Sequence, residues 1–299
     1  MDLNPLHSFL GYGDFRNAEF LVISKHEGAN NEKLEQELDA RINYFGLEKE
    51  YWLDGEKRLN GYWHPSAKKA GEIKRKLFGE EEKYTNRFPD VVKYPARMLF
   101  ALEEALRINS MASIDKWFKG ADEISEDVKN KLNDSYEDMY SYTRISNWKT
   151  ALSHYQPLLR AAQSWPYTEL KKSDYKNVFE KTVRLENPGF AAWRKKREEI
   201  LADLLKEYPK KVIFCTGNFQ KDNDSDSLKD FFEREFQADL NPFGFNGKLK
   251  GLYGEFSYNN QRTVVIHTQG LGTGGGLAYD EVCKITKVIY RKLKRGKSM

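Results

Sequence analysis

The chain has 299 residues, with 49 basic against 45 acidic side chains and a formal net charge of +4. A hydrophobic fraction of 39% with 14% aromatic residues excludes an intrinsically disordered chain, and the length suffices for a substantial core. No apolar run approaches the roughly 20 residues that span a bilayer, and Met1-Asp2-Leu3-Asn4-Pro5 has neither a basic nor an apolar leader character, so the chain reads as soluble and cytoplasmic.

The charge is unevenly placed. Val282 to Met299 holds Lys284, Lys287, Arg291, Lys292, Lys294, Arg295 and Lys297 and no acid, so the remainder carries 42 bases against 45 acids. Such a segment suits either an anionic polymer or the solvated face of a terminal helix, here 280–299. Cys215 and Cys283 are the only cysteines. They cannot supply the four thiolates of a cluster or closed zinc site, and each reads as a buried structural thiol. No metal, iron–sulfur cluster or other cofactor is expected.

Taken in chain order, Phe20-Leu21-Val22-Ile23-Ser24 is the first β-branched apolar run and reads as a buried parallel strand. Residues 46–95 and 113–142 are polar, weakly periodic and read as inserts. A strand is expected within Lys149 to Tyr155. From Asn187-Pro188 a helix is predicted through Trp193, Ile200, Leu201, Leu204, Leu205 and Tyr208, ended by Pro209. Lys211 to Gly217 and Thr263 to Thr268 are two further strands, and Val282, Ile285, Val288, Ile289 and Leu293 share one face of a last helix. The pattern predicts a single α/β domain, a layered sheet interrupted by inserts.

Two motifs mislead. Gly270, Gly272 and Gly275 fit the G-x-G-x-x-G dinucleotide fingerprint, but only 24 residues follow, too few for the rest of that fold. What survives is a close-approach backbone before a helix N-terminus, which suits a phosphate. Asp222 to Glu233 imitates a calcium loop, yet Ser227 stands where glycine is needed and Lys229 where an aliphatic residue is usual. A polar loop in which Ser227 caps the helix Leu228 to Phe236 is the simpler reading.

Lys25-His26-Glu27-Gly28 follows the first strand, and His267 ends the last one. Carboxyl ends of parallel strands are where open α/β sheets bind ligands, so two histidines and a carboxylate there form a candidate acid/base set, against the plainer reading of a polar loop.

These segments resemble the uracil-DNA glycosylase superfamily. Gly11-Tyr12-Gly13, a spacer, the first strand and a polar loop ending Gly28-Ala29-Asn30 are similar to its first signature. His267-Thr268-Gln269-Gly270-Leu271-Gly272 is similar to its second, His-Pro-Ser-Pro-Leu-Ser. Trp193 to Gly217 and His154-Tyr155-Gln156-Pro157-Leu158 with Ser164-Trp165-Pro166-Tyr167 add two weaker islands. The resemblance implies a three-layer αβα fold around a mostly parallel four-stranded sheet. It implies excision of a flipped base from double-stranded DNA, leaving an abasic site.

By position, the resemblance gives Glu27 and His26 to the attacking water and His267 to the departing base. Tyr12, Lys25, Gly28, His154 and Gln156 would line the base pocket. Gln269, Gly270, Leu271, Gly272, Thr273 and Gly274 would meet the DNA, with Leu271 as a wedge in the vacated stack. Lys25 could attack as an amine or serve as a phosphate contact. The chain departs from the family pattern at His26, where a water-activating Asp is common, and at His154, where an Asn reads uracil. These departures fit a modified base such as glucosylated hydroxymethylcytosine, removed in defence against phage. Uracil repair, an inactive DNA-binding protein of the same fold and a nucleoside hydrolase are the alternatives.

Overall fold

A computed structural model describes residues 10–25, 28–29, 62–63, 90–120, 123–135, 144–156, 160–161, 167, 172–173, 188–217, 227–271 and 277–295. Its strands are β1 (Gly11–Gly13), β2 (Phe20–Ser24), β3 (Gly28–Ala29), β4 (Tyr62–Trp63), β5 (Arg144–Ile145), β6 (Trp148–His154), β7 (Arg160–Ala161), β8 (Val212–Thr216), β9 (Asp239–Phe245), β10 (Lys248–Tyr258) and β11 (Gln261–Thr268). The helices are α1 (Asp90–Ile108), a 3-10 helix (Met111–Phe118), α2 (Glu126–Asp134), α3 (Pro188–Glu207), α4 (Ser227–Phe236) and α5 (Tyr279–Arg295).

The main sheet is mixed and wider than the four strands expected. Its order is β4-β1-β6-β2-β8-β11-β10-β9, with β5 pairing β6 from outside that path, while β3 and β7 form a separate pair. Strands β6, β2, β8 and β11 pair in parallel, whereas β1 on β6 and the β11-β10-β9 run are antiparallel. Two-residue turns produce that run. Asn246-Gly247 and Asn259-Asn260 all have positive φ, the conformation of hairpin turns whose twist matches the flanking strands. Neither β9 nor β10 follows from a β-branched apolar run, but the Asn-Gly pair was a readable turn signal.

Period-two alternation divides the core into two layers. Leu21, Ile23, Ile213, Cys215 and Val265 face Leu201, Leu204 and Leu205 of α3 and Phe231, Phe232 and Phe236 of α4. Phe20, Val22, Val212, Phe214, Val264 and Ile266 face α1, the 3-10 helix, α2 and α5. All four of Phe20, Leu21, Val22 and Ile23 are fully buried, at about 1.5–3 kcal/mol for each side chain removed from water. Residues 113–142, read from the sequence as an insert, contribute Ile114, Trp117, Val128 and Leu132 to the second layer. Their polar neighbours hide the pattern, because only one face of each short helix is buried.

Helix α1 is not evident from the sequence because it runs unbroken through Pro95, a residue that ordinarily ends a helix. Arg97, nearly fully buried on α1, donates from Nη1 to the carbonyls of Trp117 (3.1 Å) and Lys119 (2.9 Å), so it closes the end of the 3-10 helix. Its guanidinium lies 4.3 Å from the centroid of the Tyr279 ring at the start of α5.

Close backbone approach fixes the β1–β6 pairing. A Cβ on Gly11 would lie 1.7 Å from the Leu152 carbonyl oxygen. Gly11→Ala should therefore lower the urea midpoint with an unchanged slope, a loss of about 2–4 kcal/mol in equilibrium unfolding.

Lys210 enters β8 fully buried, with its ammonium 4.0 Å from the Phe15 ring centroid and donating to the Phe15 carbonyl. Burial pushes its pKa down from 10.5 to about 7, only partly opposed by Asp14. Between those values the unfolded chain binds the extra proton, so stability should rise with pH across about 7 to 10.5 and be flat with respect to this group below 7. The slope is at most about 1.4 kcal/mol per pH unit. Lys210→Met should remove it, as followed by urea unfolding at successive pH values.

Candidate active site at the carboxyl edge

The parallel strands end together. His154, Ser24, Thr216 and Thr268 form one register row across β6, β2, β8 and β11. Backbone bonds continue past the strand ends: Lys25 N–H donates to Thr216 O (3.0 Å), Gln156 N–H to Lys25 O (2.8 Å) and Gly217 N–H to Thr268 O (3.2 Å). Strand β2 leads in sequence to β6 on one side, and β8 leads to β11 on the other. The chain therefore reverses direction across the sheet between β2 and β8, and ligands of open α/β sheets bind outside the strand ends at such a point. Gly217, with φ +87°, turns away there, and a Cβ on it would meet Lys25 Cβ at 3.3 Å.

At the centre of this edge Ser24 Oγ and His154 Nδ1 share a buried hydrogen bond of 2.6 Å. The Tyr12 ring meets the imidazole edge-on at 5.9 Å. From the opposite helical layer, Arg197 of α3 donates to the His154 carbonyl, 3.0 Å from Nε and also through Nη2. Beside it, Tyr155 donates its hydroxyl to Glu198, which also pairs with Arg194 (2.8 Å) and Arg234 (2.9 Å). A charge as deeply placed as Glu198 requires such partners, and they hold the segment after β6 against α3 and α4.

Of the residues expected from the sequence, Tyr12, Lys25, His154 and Gln156 come together at this edge, and all but Lys25 are buried. Gly28 lies in β3, paired with Arg160 of β7. His26, Glu27, Gly272, Thr273 and Gly274 lie outside the described residues. His267 is 0% exposed and shares its register with Cys215 and Leu252, both in the α3/α4 layer. His154 shares the other face with Leu152 and Tyr12. The two histidines thus project from opposite faces of the sheet. The difference is a single residue of register, because His267 precedes the row that holds His154.

Ser24 and Arg197 were not singled out by sequence. Ser24 carried a signal, a lone hydroxyl closing an apolar strand, whereas nothing in the helical pattern marked Arg197.

The segment expected from the sequence to meet DNA, 269–274, is described as far as Leu271. Gln269 N–H donates to Lys250 O (3.2 Å), and Leu277 N–H closes the loop onto Gly270 O (2.8 Å). Leu271 bridges Leu277 and packs against the second core layer. The N-terminus of α5, expected to favour a phosphate, carries Asp280 and Glu281 in its first turn. Glu281 accepts from the Ala278 N–H at 3.0 Å, so the chain's own carboxylate already occupies that helix end.

The terminal charge also lies elsewhere than the sequence suggested. Helix α5 returns along the sheet, and its 17 residues cover about 25 Å. Lys292 O accepts from Arg262 at the start of β11, and Lys292 pairs with Glu255. The basic half of α5 therefore lies toward the amino ends of the parallel strands, away from the His154 edge. Lys284 and Lys287 pair with Asp280 (3.4 Å) and Asp115 (2.5 Å). Asp115 also accepts from the Cys283 thiol, whose pKa burial and this carboxylate push up to about 11.

Fold and edge together define an α/β protein with a candidate ligand crevice at a reversal point of its sheet. No protein-family model, curated protein or solved structure matches the chain. Among the described residues no cluster of His, Cys, Asp and Glu suits a metal ion, and no helix is long and apolar enough to cross a membrane.

Ser24→Ala removes one partner of the imidazole. It should cost about 1–3 kcal/mol in urea unfolding and shift the Nδ1 resonance of His154 in nitrogen NMR.

Proposed function

We propose that the chain is a DNA glycosylase that hydrolyses the N-glycosidic bond of a flipped, modified base and leaves an abasic site. The observation that carries this reading is the reversal point between β2 and β8, with Lys25, Ser24 and His154 gathered on it. The four mutually parallel strands are read as the uracil-DNA glycosylase-like core, and β1, β4, β5, β9 and β10 as additions to it.

Flipping costs a few kcal/mol of unstacking, and Leu271 is the wedge that replaces the lost contact. In the glycosidic step the C–N bond breaks with its electron pair passing to the base. Water adds to the sugar carbon, and the base leaves with a proton. Glu27, with His26 beside it, orients and deprotonates the water. His154, in place of His267, protonates the departing base, because His154 lies in the same row as Ser24, one residue before Lys25-His26-Glu27. A positioned donor of this kind contributes about 10²–10⁴-fold.

Lys25, Gln269, Gly270 and residues 272–274 take the phosphates, contacts that position without specifying a base. With His154 in place of a uracil-reading Asn and Gln156 nearby, the preferred substrate is glucosylated hydroxymethylcytosine in phage DNA.

The test is incubation with plain, uracil-containing and glucosyl-hydroxymethylcytosine duplexes, followed by alkali to convert abasic sites into strand breaks. Breaks are expected on the modified duplex. Breaks on the uracil duplex alone would reassign the enzyme to repair, and none on any duplex with DNA binding retained would make it an inactive binding protein. His154→Ala should slow cleavage by about 100-fold or more and His267→Ala by far less per folded molecule. The reverse order would return the role to His267.

A further inference from the structure

A cavity of about 240 Å³ lies between α5 and the antiparallel end of the sheet. Its walls are Phe243 of β9, Tyr253 of β10, Phe245, and Ile285 and Val288 of α5, with Ile266 as the floor. The Phe243 and Phe245 rings are 5.8 Å apart and tilted by 54°, so they form a wedge-shaped apolar slot. Apart from the Tyr253 hydroxyl, none of these side chains offers a hydrogen-bonding group. The polar character is confined to Arg291, Lys292 and Arg295 at the mouth.

These three cations are not equivalent. Lys292 is committed to Glu255 and lies 5.5 Å from the Tyr253 ring centroid. Arg291 and Arg295 are exposed and have no acidic partner among the described residues, in contrast to Lys284 and Lys287 earlier on the same helix. Spaced four residues apart, they sit one above the other on the helix surface, where like charges repel. Proximity to the helix C-terminus compensates for cations in the last turn in general. It does not account for two guanidinium groups framing the mouth of an apolar slot.

We propose that this cavity binds a small amphipathic acid, its alkyl or aryl body between Phe243, Phe245 and Val288 and its anionic head on Arg291 and Arg295. With the Tyr253 hydroxyl as its one hydrogen-bonding group, the slot disfavours sugars and other polar bodies, which would lose most of their water without replacement. Guanidinium forks donate equally well to a carboxylate or a phosphate monoester in bidentate geometry, so the head group is either of these. The occupant bridges α5 to β9 and β10, and bound ligand would therefore stabilise the antiparallel end of the sheet against the helix. The arginine mouth is at the opposite end of α5 from the His154 edge; the slot itself reaches Phe243, which stands level with Gly251 and Thr268 but on β9, five strands across the sheet from β6, so ligand binding there is independent of the glycosylase reading.

Calorimetric titration of the full chain with decanoate, decyl phosphate and, as an uncharged control, decanol tests this. Decanoate or decyl phosphate should bind with Kd below about 1 mM and a negative heat-capacity change, and should raise the thermal midpoint. Whichever of the two binds more tightly identifies the head group. Decanol should bind at least tenfold more weakly. The double substitution Arg291→Gln with Arg295→Gln, on exposed side chains, should weaken acid binding at least tenfold with an unchanged circular dichroism spectrum. Val288→Trp should fill the slot and abolish binding. No binding of either acid, equal affinity for decanol, or undiminished affinity in the double variant would overturn the proposal. None of these outcomes bears on abasic-site formation.

Discussion

Burial of the central strands on both faces is the constraint on which the rest of this molecule depends. Strands β2 and β8 have parallel neighbours on either side and helices above and below, so every side chain they carry must choose one of two apolar layers. That leaves polar chemistry only where the strands end. The row His154, Ser24, Thr216 and Thr268 is where the apolar pattern stops, and the continued backbone bonds beyond it keep those ends aligned. A hydrogen bond between side chains 130 residues apart, Ser24 and His154, is possible because the parallel register brings them abreast.

The same constraint explains why the edge is braced by buried charge. Glu198, Arg194, Arg197 and Arg234 approach the segment after β6 from the helical layer, and their charges are tolerable there because each is paired or hydrogen-bonded. Replacing such a network by apolar side chains is often neutral for stability. Its value here is orientation: the carbonyl of His154 is held from one face of the sheet while its imidazole is held by Ser24 on the other.

The antiparallel extension has a different character. Its turns are local, two residues each, and it buries one face against α4 through stacked rings such as Phe236 on Phe256 at 4.4 Å. Its other face meets α5 incompletely, which leaves the aromatic slot framed by Arg291 and Arg295. The chain's positive excess thus divides: part is neutralised by Asp115, Asp280 and Glu255, and part is offered at an end of the sheet remote from the His154 edge.

Much of this was legible in the sequence, because strands and helices with continuous apolar patterns are local properties. The runs at 20–24, 211–217 and 263–268 appear as β2, β8 and β11, the expected fourth strand appears as β6, and Pro188 and Pro209 bracket α3. Helix α1 was hidden by Pro95, and β9 and β10 by the absence of a β-branched run, although Asn246-Gly247 announced their turn. Register, face and direction belonged to the tertiary structure alone. A one-residue difference in register sends His267 into the α3/α4 layer and His154 to the opposite face, and the return of α5 along the sheet carries its bases away from the strand ends. Composition counts those residues and periodicity orders them along one element. Only the pairing of distant strands decides which of them meet.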